Sequence, residues 1–307
     1  MIDILSLNEE KILQLEQSQI DRPFTTKEII HIADRLYAHW KYDYTSKYKP
    51  NFHALLKGSE HSDEFFYSDV FLASPNIMKI MAMQLVRLFN ESGLPIPNWI
   101  VGIPKGAKEL GDEVAKILQT KSAVLEKKEN KEMVLISDIV EGDSVLMVDD
   151  FSSAGTAIRD AVKAILAKTK VCFIPFVLFV LNRRETDKIS TIAGDFIIRS
   201  LAKRRVNQWL APECPLCKMG SIPIKPKNPS KNWNLLLHQS LLTLLPPLTE
   251  IHNKYERIKT CQDCVWEQWC KDSGHPDTFP LGNGHSILMC VTAIRDRLIL
   301  FGNPAKL

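Results

Sequence analysis

Between residues 99 and 182 the chain repeatedly switches from short apolar runs to stretches whose apolar residues recur at helical spacing. "WIVGIP" (99–104), Val145–Val148 and "CFIPFVLFVLN" (172–182) show no alternation of apolar and polar residues, and "SAVLEKK" (122–128) reads as a further strand entering a charged loop. A strand without alternation has no face to give to water, so both of its faces must be covered. Helical patterns fill the intervals, through "ELGDEVAKIL" (109–118) and over 156–167. Two more lie upstream, over 26–40 and 73–93, the second with Pro75 near its start and Gly93 past its end. The alternation predicts an α/β fold, a parallel sheet flanked by helices on both faces. Such sheets bind ligands beyond the carboxyl ends of their strands, which is where Lys105, Asp149–Asp150 and Arg183 fall.

The stretch "VLMVDDFSSAGTAIRDAV" (145–162) says what kind of ligand that could be. Four apolar residues end in two carboxylates, a loop of small and hydroxyl residues follows, and Ala157, Ile158, Ala161, Val162 and Ile165 then mark a helix. A loop that opens a helix offers free N–H groups and the positive end of the dipole, a setting for phosphate. Gly155 lets the backbone come close, and Ser152, Ser153 and Thr156 add hydroxyls. Ionised carboxylates only accept hydrogen bonds, so Asp149 and Asp150 suit sugar hydroxyls and not phosphate. Together they ask for a sugar phosphate. The competing reading is a capped helix behind a strand, with both aspartates solvated.

The chain has 307 residues, 45% hydrophobic and 24% charged, the profile of an ordinary globular protein. A net charge of +3 is too small to argue for nucleic acid or membrane as partner. The longest apolar run, 171–181, is too short to cross a bilayer, and "MIDILSLNEEKILQLEQ" lacks signal-peptide architecture. Seven cysteines without a regular framework favour a reducing, cytoplasmic setting. Beyond residue 210 the composition shifts to proline and lysine, then to the leucine-rich "WNLLLHQSLLTLLPPL". The expected organisation is a helical segment over 1–50, the α/β domain over 51–212, and a mainly helical, cysteine-containing extension over 213–307.

The 145–160 stretch resembles the phosphoribosyl-pyrophosphate (PRPP) motif of type I phosphoribosyltransferases, in the version carried by orotate phosphoribosyltransferases. Other segments follow in family order, and the resemblance spans about residues 50–225. "LLKGSEHSDEFFYSD" (55–69) is similar to an N-terminal segment of the orotate enzymes, which implies that Lys57 reaches the pyrimidine and PRPP and that Phe65 and Phe66 flank the base. "VGIPKGAKELG" (101–111) looks like the pyrophosphate loop, with Lys105 and Gly106 in its turn. "EKKENKEM" (126–133) resembles the mobile catalytic loop; Lys128 and Lys131 take its lysine positions, and Met133 stands where one version has histidine. In "VLNRRET" (180–186) Asn182 replaces a family aspartate and Arg183 matches the arginine that grips the orotate carboxylate, with Arg184 one position away.

The resemblance implies transfer of a phosphoribosyl group from PRPP to orotate, giving orotidine 5'-phosphate and pyrophosphate, a step of pyrimidine nucleotide biosynthesis. It implies Mg²⁺ with PRPP and a homodimer that shares the catalytic loop. Asp149, Asp150, Lys128 and Lys131 would be catalytic. The 5'-phosphate would rest on Ser153, Ala154, Gly155, Thr156 and Ala157, with Ser152 also among the PRPP-binding residues, and Ser153 would also touch the base. Two rival readings are a transferase acting on another base, suggested by Asn182, Met133 and the long tail, and a PRPP-binding regulator without turnover. Retention of Lys57, Lys105, Lys128 and Lys131 favours an enzyme. Separately, Cys214-x-x-Cys217 and Cys261-x-x-Cys264 form the usual skeleton of a structural zinc site, with Cys270 as an alternative ligand.

Overall fold

The computed structural model describes residues 2–45, 51–104, 106–129, 132–152, 154–184, 186–227 and 231–237. The chain divides into two compact units, one formed by the segment up to Trp40 with Phe65–Asn207, the other by Lys41–Glu64 with the chain from Gln208 onward. The division places 41–64 with the C-terminal segment, where boundaries at 50 and 212 were expected. The reason is strand pairing: residues 52–62 find their partners after residue 207.

The first unit is built on strands β1 (Trp99–Gly102), β2 (Lys121–Ala123), β3 (Leu125–Lys127), β4 (Met133–Leu135), β5 (Ser144–Phe151), β6 (Cys172–Asn182), β7 (Lys188–Thr191) and β8 (Gly194–Lys203). Its principal helices are α1 (Thr26–Arg35), α2 (Pro75–Asn90), α3 (Lys108–Leu118) and α4 (Thr156–Lys168). The sheet runs β7-β8-β6-β5-β1-β2, parallel throughout except for the edge strand β7. The five parallel strands therefore lie in chain order 2-1-3-4-5, which reverses direction between β1 and β5. That reversal opens a crevice at the carboxyl ends of those two strands.

Both faces of the central strands are covered, as the lack of alternation required. Leu146 and Val148 of β5 join one core with Ile100, Leu178, Val180 and the apolar faces of α1, α2 and α3. Val145 and Met147 join the other with Val101, Val177, Phe179 and the inner face of α4. Pro175 sits within β6, and the pairing of β6 with β5 shifts register between Phe173 and Val177, where the proline has no N–H to give.

Two boundaries differ from the sequence reading. Helix α1 starts with a capping box between Thr25 and Glu28 but ends at Arg35 and not at residue 40. Tyr37 takes a left-handed conformation, φ 52°, and the N–H groups of Ala38 and Tyr37 return to the carbonyls of Ala33 and Asp34, a Schellman closure made without glycine. "SAVLEKK" is two strands: Lys121–Ala123 belongs to the main sheet, while Leu125–Lys127 pairs antiparallel with Met133–Leu135. The β7–β8 hairpin extends the sheet past residue 182, which the sequence reading had not placed.

The second unit contains a four-stranded sheet in the order Gln208–Trp209, His61–Ser62, Phe52–Leu55, Ile222–Ile224. The hairpin 52–62 turns through Leu56–Glu60, with Ser59 at φ 71° and Lys57 exposed at the tip. A helix over Lys231–Leu237 follows; the rest of the leucine-rich tail, with Cys261, Cys264 and Cys270, lies outside the described residues. Among the described residues no helix is long and apolar enough to cross a membrane.

Candidate functional site

The crevice at the reversal is lined from β1 and β5. The Ile103 N–H donates to the Val148 carbonyl at 2.9 Å and so ties the loop after β1 to the end of β5. Gly106 lies so close to the Asp150 carboxylate that a Cβ at this position would overlap Oδ2. The sequence pairing of a glycine turn with an acidic strand end is thus a contact. Gly106→Ala is expected to push that carboxylate aside and lower the kcat/KM of the reaction proposed below by about tenfold, the cost of one methyl forced into a packed position; steady-state kinetics would read it. Lys105, Ser153 and Lys131 lie outside the described residues.

Asp149 and Asp150 end β5 half-buried. The Asp150 N–H donates to Asp149 Oδ1 at 2.9 Å. Burial, and next to it the charge of Asp150, holds the Asp149 carboxyl well above the usual carboxylate range, with Arg183 opposing. In turn, burial lowers the pKa of Arg183, while Asp150 and Asp149 counter that effect. This is an acidic strand end that gains from added positive charge or from hydroxyl donors.

The other side of the loop is cationic. Gly155, at φ 73°, is the residue before α4, and no side chain caps the helix N-terminus. Arg159 Nη2 donates to the Ala154 carbonyl at 2.8 Å. Arg184 packs against Gly155, its Nη1 within 2.8 Å of where a Cβ would stand. That Nη1 is buried and has no hydrogen-bond partner among the described residues. Burial and the neighbouring Arg159 both lower the Arg184 pKa. Two guanidinium groups that repel each other beside an uncapped 13-residue helix suit an anion. The sequence reading had Arg184 only as a register alternative to Arg183; nothing in the pattern of residues showed that it would fold back on Gly155.

Asn182 and Ser152 fix the ends of β5 and β6 to each other. The Ser152 hydroxyl donates to Asn182 Oδ1 at 2.7 Å and accepts from the Arg183 N–H at 3.0 Å. Asn182 also accepts from the Arg184 N–H and donates to Asp187. Arg183 Nε donates to the Ser152 carbonyl at 3.0 Å, which sets the direction of its guanidinium. The geometry bears on two of the expected site residues. Ser152 is buried and its one proton is committed to Asn182, so it is a strut and not a phosphate donor in this arrangement. Phe66 is only 2% exposed, stacked on His39 at 4.0 Å and edge-on to Phe151, which makes it core and not an open wall for a base. Phe65 is buried beside Tyr67.

Lys128 is exposed just past β3, its N–H bonded to the Glu132 carbonyl at the hairpin tip. Met133, at the position of the family histidine, is buried in the core under α4. An apolar residue there anchors the hairpin and carries no proton to transfer. Ala154, Gly155, Thr156 and Ala157 form the turn and first residues of α4 as the motif spacing required.

No family model matches the chain. Curated relatives do. It is 26% identical over 183 residues to the orotate phosphoribosyltransferase of Sulfurovum sp. (strain NBC37-1), covering 57% of this chain and 90% of that protein. It is 23% identical over 180 residues to the orotate phosphoribosyltransferase of Caldicellulosiruptor bescii, covering 58% and 90%. Among solved structures, orotate phosphoribosyltransferase from Aeropyrum pernix aligns with a TM-score of 0.44 at 14% identity over 57% of this chain and 93% of that one. Leishmania donovani UMP synthase aligns with a TM-score of 0.44 at 13% identity, over 70% of this chain and 43% of that one. With its strand-end aspartates and glycine loop at the reversal point of the sheet, the chain is similar over 57–58% of its length to proteins named orotate phosphoribosyltransferase, which points to the type I phosphoribosyltransferases and, among them, to the orotate enzymes.

Proposed function

We propose that the protein transfers the phosphoribosyl group of PRPP to orotate. The observation that carries this reading is the pairing, across one loop, of an acidic strand end with a cation-flanked helix N-terminus. A ribose 5-phosphate fits it in a single orientation, hydroxyls on Asp149 and Asp150, phosphate at Ala154–Ala157. The Arg184 Nη1, which has no acceptor among the described residues, then gains one, since a buried donor left unpaired costs about 1–3 kcal/mol.

The transition state of such a transfer carries positive charge at the ribose, as in glycoside cleavage. Asp149 and Asp150 are placed to favour that charge, and they do so most where water is excluded. Lys128 and Lys131 on the β3–β4 hairpin, with Lys105 after β1, offset the charge of departing pyrophosphate. Arg183, aimed by its bond to Ser152, takes the orotate carboxylate, for which a planar guanidinium is the matching donor. The resemblance adds Lys57 and Ser153 toward base and PRPP. Hard carboxylate oxygens at a strand end beside a pyrophosphate are the donor set that Mg²⁺ accepts, and bound there it would neutralise charge on the leaving group. A homodimer sharing the hairpin and a cytoplasmic location belong to the same proposal.

The test is pyrophosphate release by the purified full chain from PRPP, with orotate and with other bases. Release that depends on orotate supports the reading. Release with a different base moves it to another transferase. PRPP binding without release from any base leaves the regulator.

A further inference from the structure

The second unit holds a cluster that the reaction does not use. His53, His61, Cys214 and Cys217 each bring a ligand atom to one place, all four within 4.8 Å of one another. We propose that these four side chains bind one Zn²⁺ in a closed tetrahedral site, with His53 Nε2, His61 Nδ1 and the two Sγ atoms as ligands. The proposal differs from the four-cysteine set expected from the sequence in taking His53 and His61 as ligands; Cys261 and Cys264 lie outside the described residues.

The fold explains why they converge. Ala54 pairs with Ser62 and Leu55 with His61 across the hairpin, so alternation puts His53 and His61 on the same face. Ile222–Ile224 pairs in parallel with Phe52–Ala54 on the other side, and the turn Cys214–Ser221 is thereby carried beside His53.

The spacing fits a metal. With zinc–sulfur and zinc–nitrogen bonds of about 2.3 and 2.0–2.1 Å, the edges of a tetrahedron are roughly 3.3–3.8 Å. Three of the four edges fall there, Cys214 Sγ to Nε2 3.6 Å, Cys217 Sγ to Nε2 3.6 Å and Cys217 Sγ to Nδ1 3.3 Å, while the fourth, Nε2 to Nδ1 at 2.9 Å, is shorter and would have to open slightly to share an ion.

Proton accounting argues against a plain hydrogen-bond network. The Ser221 hydroxyl donates to the Asn51 carbonyl, which can only accept, at 3.0 Å. Its oxygen must then accept from His53 Nδ1, 2.9 Å away. That places the ring proton on Nδ1 and leaves Nε2 with a bare lone pair. Three heteroatoms crowd this one lone pair, which can serve a single donor. One cation at their centre satisfies all four atoms together. The bond from His53 through Ser221 to Asn51 is also the outer support that metal-binding histidines use to fix tautomer and ring orientation. His53, His61 and Cys214 are buried, and four protein ligands leave no open position, which makes the role structural. The metal would pin the hairpin that carries Lys57 to the turn at 214–217.

The experiment uses the full chain made without a histidine tag. Metal analysis is expected to find about one zinc per chain, and Co²⁺ exchanged for it should give the intense visible bands of a tetrahedral thiolate site. His53→Ala and Cys217→Ser should lose both, while Cys261→Ser with Cys264→Ser keeps both. His53→Cys guards against simple misfolding: a ligand position should retain the metal and strengthen the thiolate charge-transfer band. Protein without zinc that takes up neither ion overturns the proposal. So does metal that survives His53→Ala, or metal lost with Cys261 and Cys264. None of these readouts depends on which reaction the first unit catalyses.

Discussion

Replacing both strand-end carboxylates, Asp149→Asn with Asp150→Asn, is expected to lower turnover by on the order of 10³-fold or more while the fold becomes more stable. The loss follows from removing two negative charges next to a centre that becomes positive, inside a site where charge is weakly screened. Hydrogen bonds to the ribose survive in part, because an amide still offers an oxygen, so PRPP binding should weaken less than turnover. The gain in stability has a separate cause. Burial and the adjacent Asp150 hold the Asp149 carboxyl above its ordinary range. The folded state therefore binds that proton more tightly than the unfolded state, and stability falls as pH climbs from the unfolded value through the folded one. Asp149→Asn removes the penalty. Its benefit should be absent in acid and grow toward neutral pH, reaching about 0.5–2 kcal/mol, the usual range for relieving a strained functional position. Thermal melts across pH, run beside the kinetics, separate the two effects. Near-normal turnover in the double variant would remove the central claim about the site.

Arg183 and Arg184 are adjacent but should fail in different ways. Arg183→Ala is expected to raise the KM for orotate by roughly 30-fold or more, since leaving a buried carboxylate unpaired costs about 2–5 kcal/mol. Arg184→Ala should act on PRPP instead, because its guanidinium packs against Gly155 of the turn proposed to hold the phosphate and its Nη1 has no partner among the described residues. The measurement is KM for each substrate with the other saturating. If Arg184→Ala weakens orotate and Arg183→Ala does not, the two roles are exchanged. If neither variant changes the KM for orotate, the base is another one.

Much of the first unit was legible in the chain. The doubly apolar run Val145–Val148 requires cover on both faces, and two distinct cores provide it. The motif Asp149–Ala157 is local: strand end, turn and first helical residues follow each other within nine positions, so spacing alone fixes their arrangement. Met133 was visible as a departure, and its burial gives the reason, an apolar anchor for the hairpin. Segments of mixed polarity were less legible. The β7–β8 hairpin lies at the edge of the sheet, where one side needs little burial, and its residues leave a weak pattern.

By itself the sequence determined the layered sheet, the order of its motifs, and a strand that ends in two carboxylates before a glycine loop that opens a helix. These depend on residues near one another in the chain, where periodicity and spacing are strong signals. The tertiary structure alone decided which of those residues are free to act. Ser152 gives its proton to Asn182, 30 residues away, and Phe66 closes against His39 and Phe151. Cys214 and Cys217 meet two histidines more than 150 positions upstream, a pairing that no spacing of cysteines signals. Side chains far apart in sequence are brought together by strand pairing and packing, and a hydroxyl proton, a ring face or a thiolate can be committed only once. What a polar or aromatic residue has left for a ligand is therefore settled by neighbours that no local pattern names.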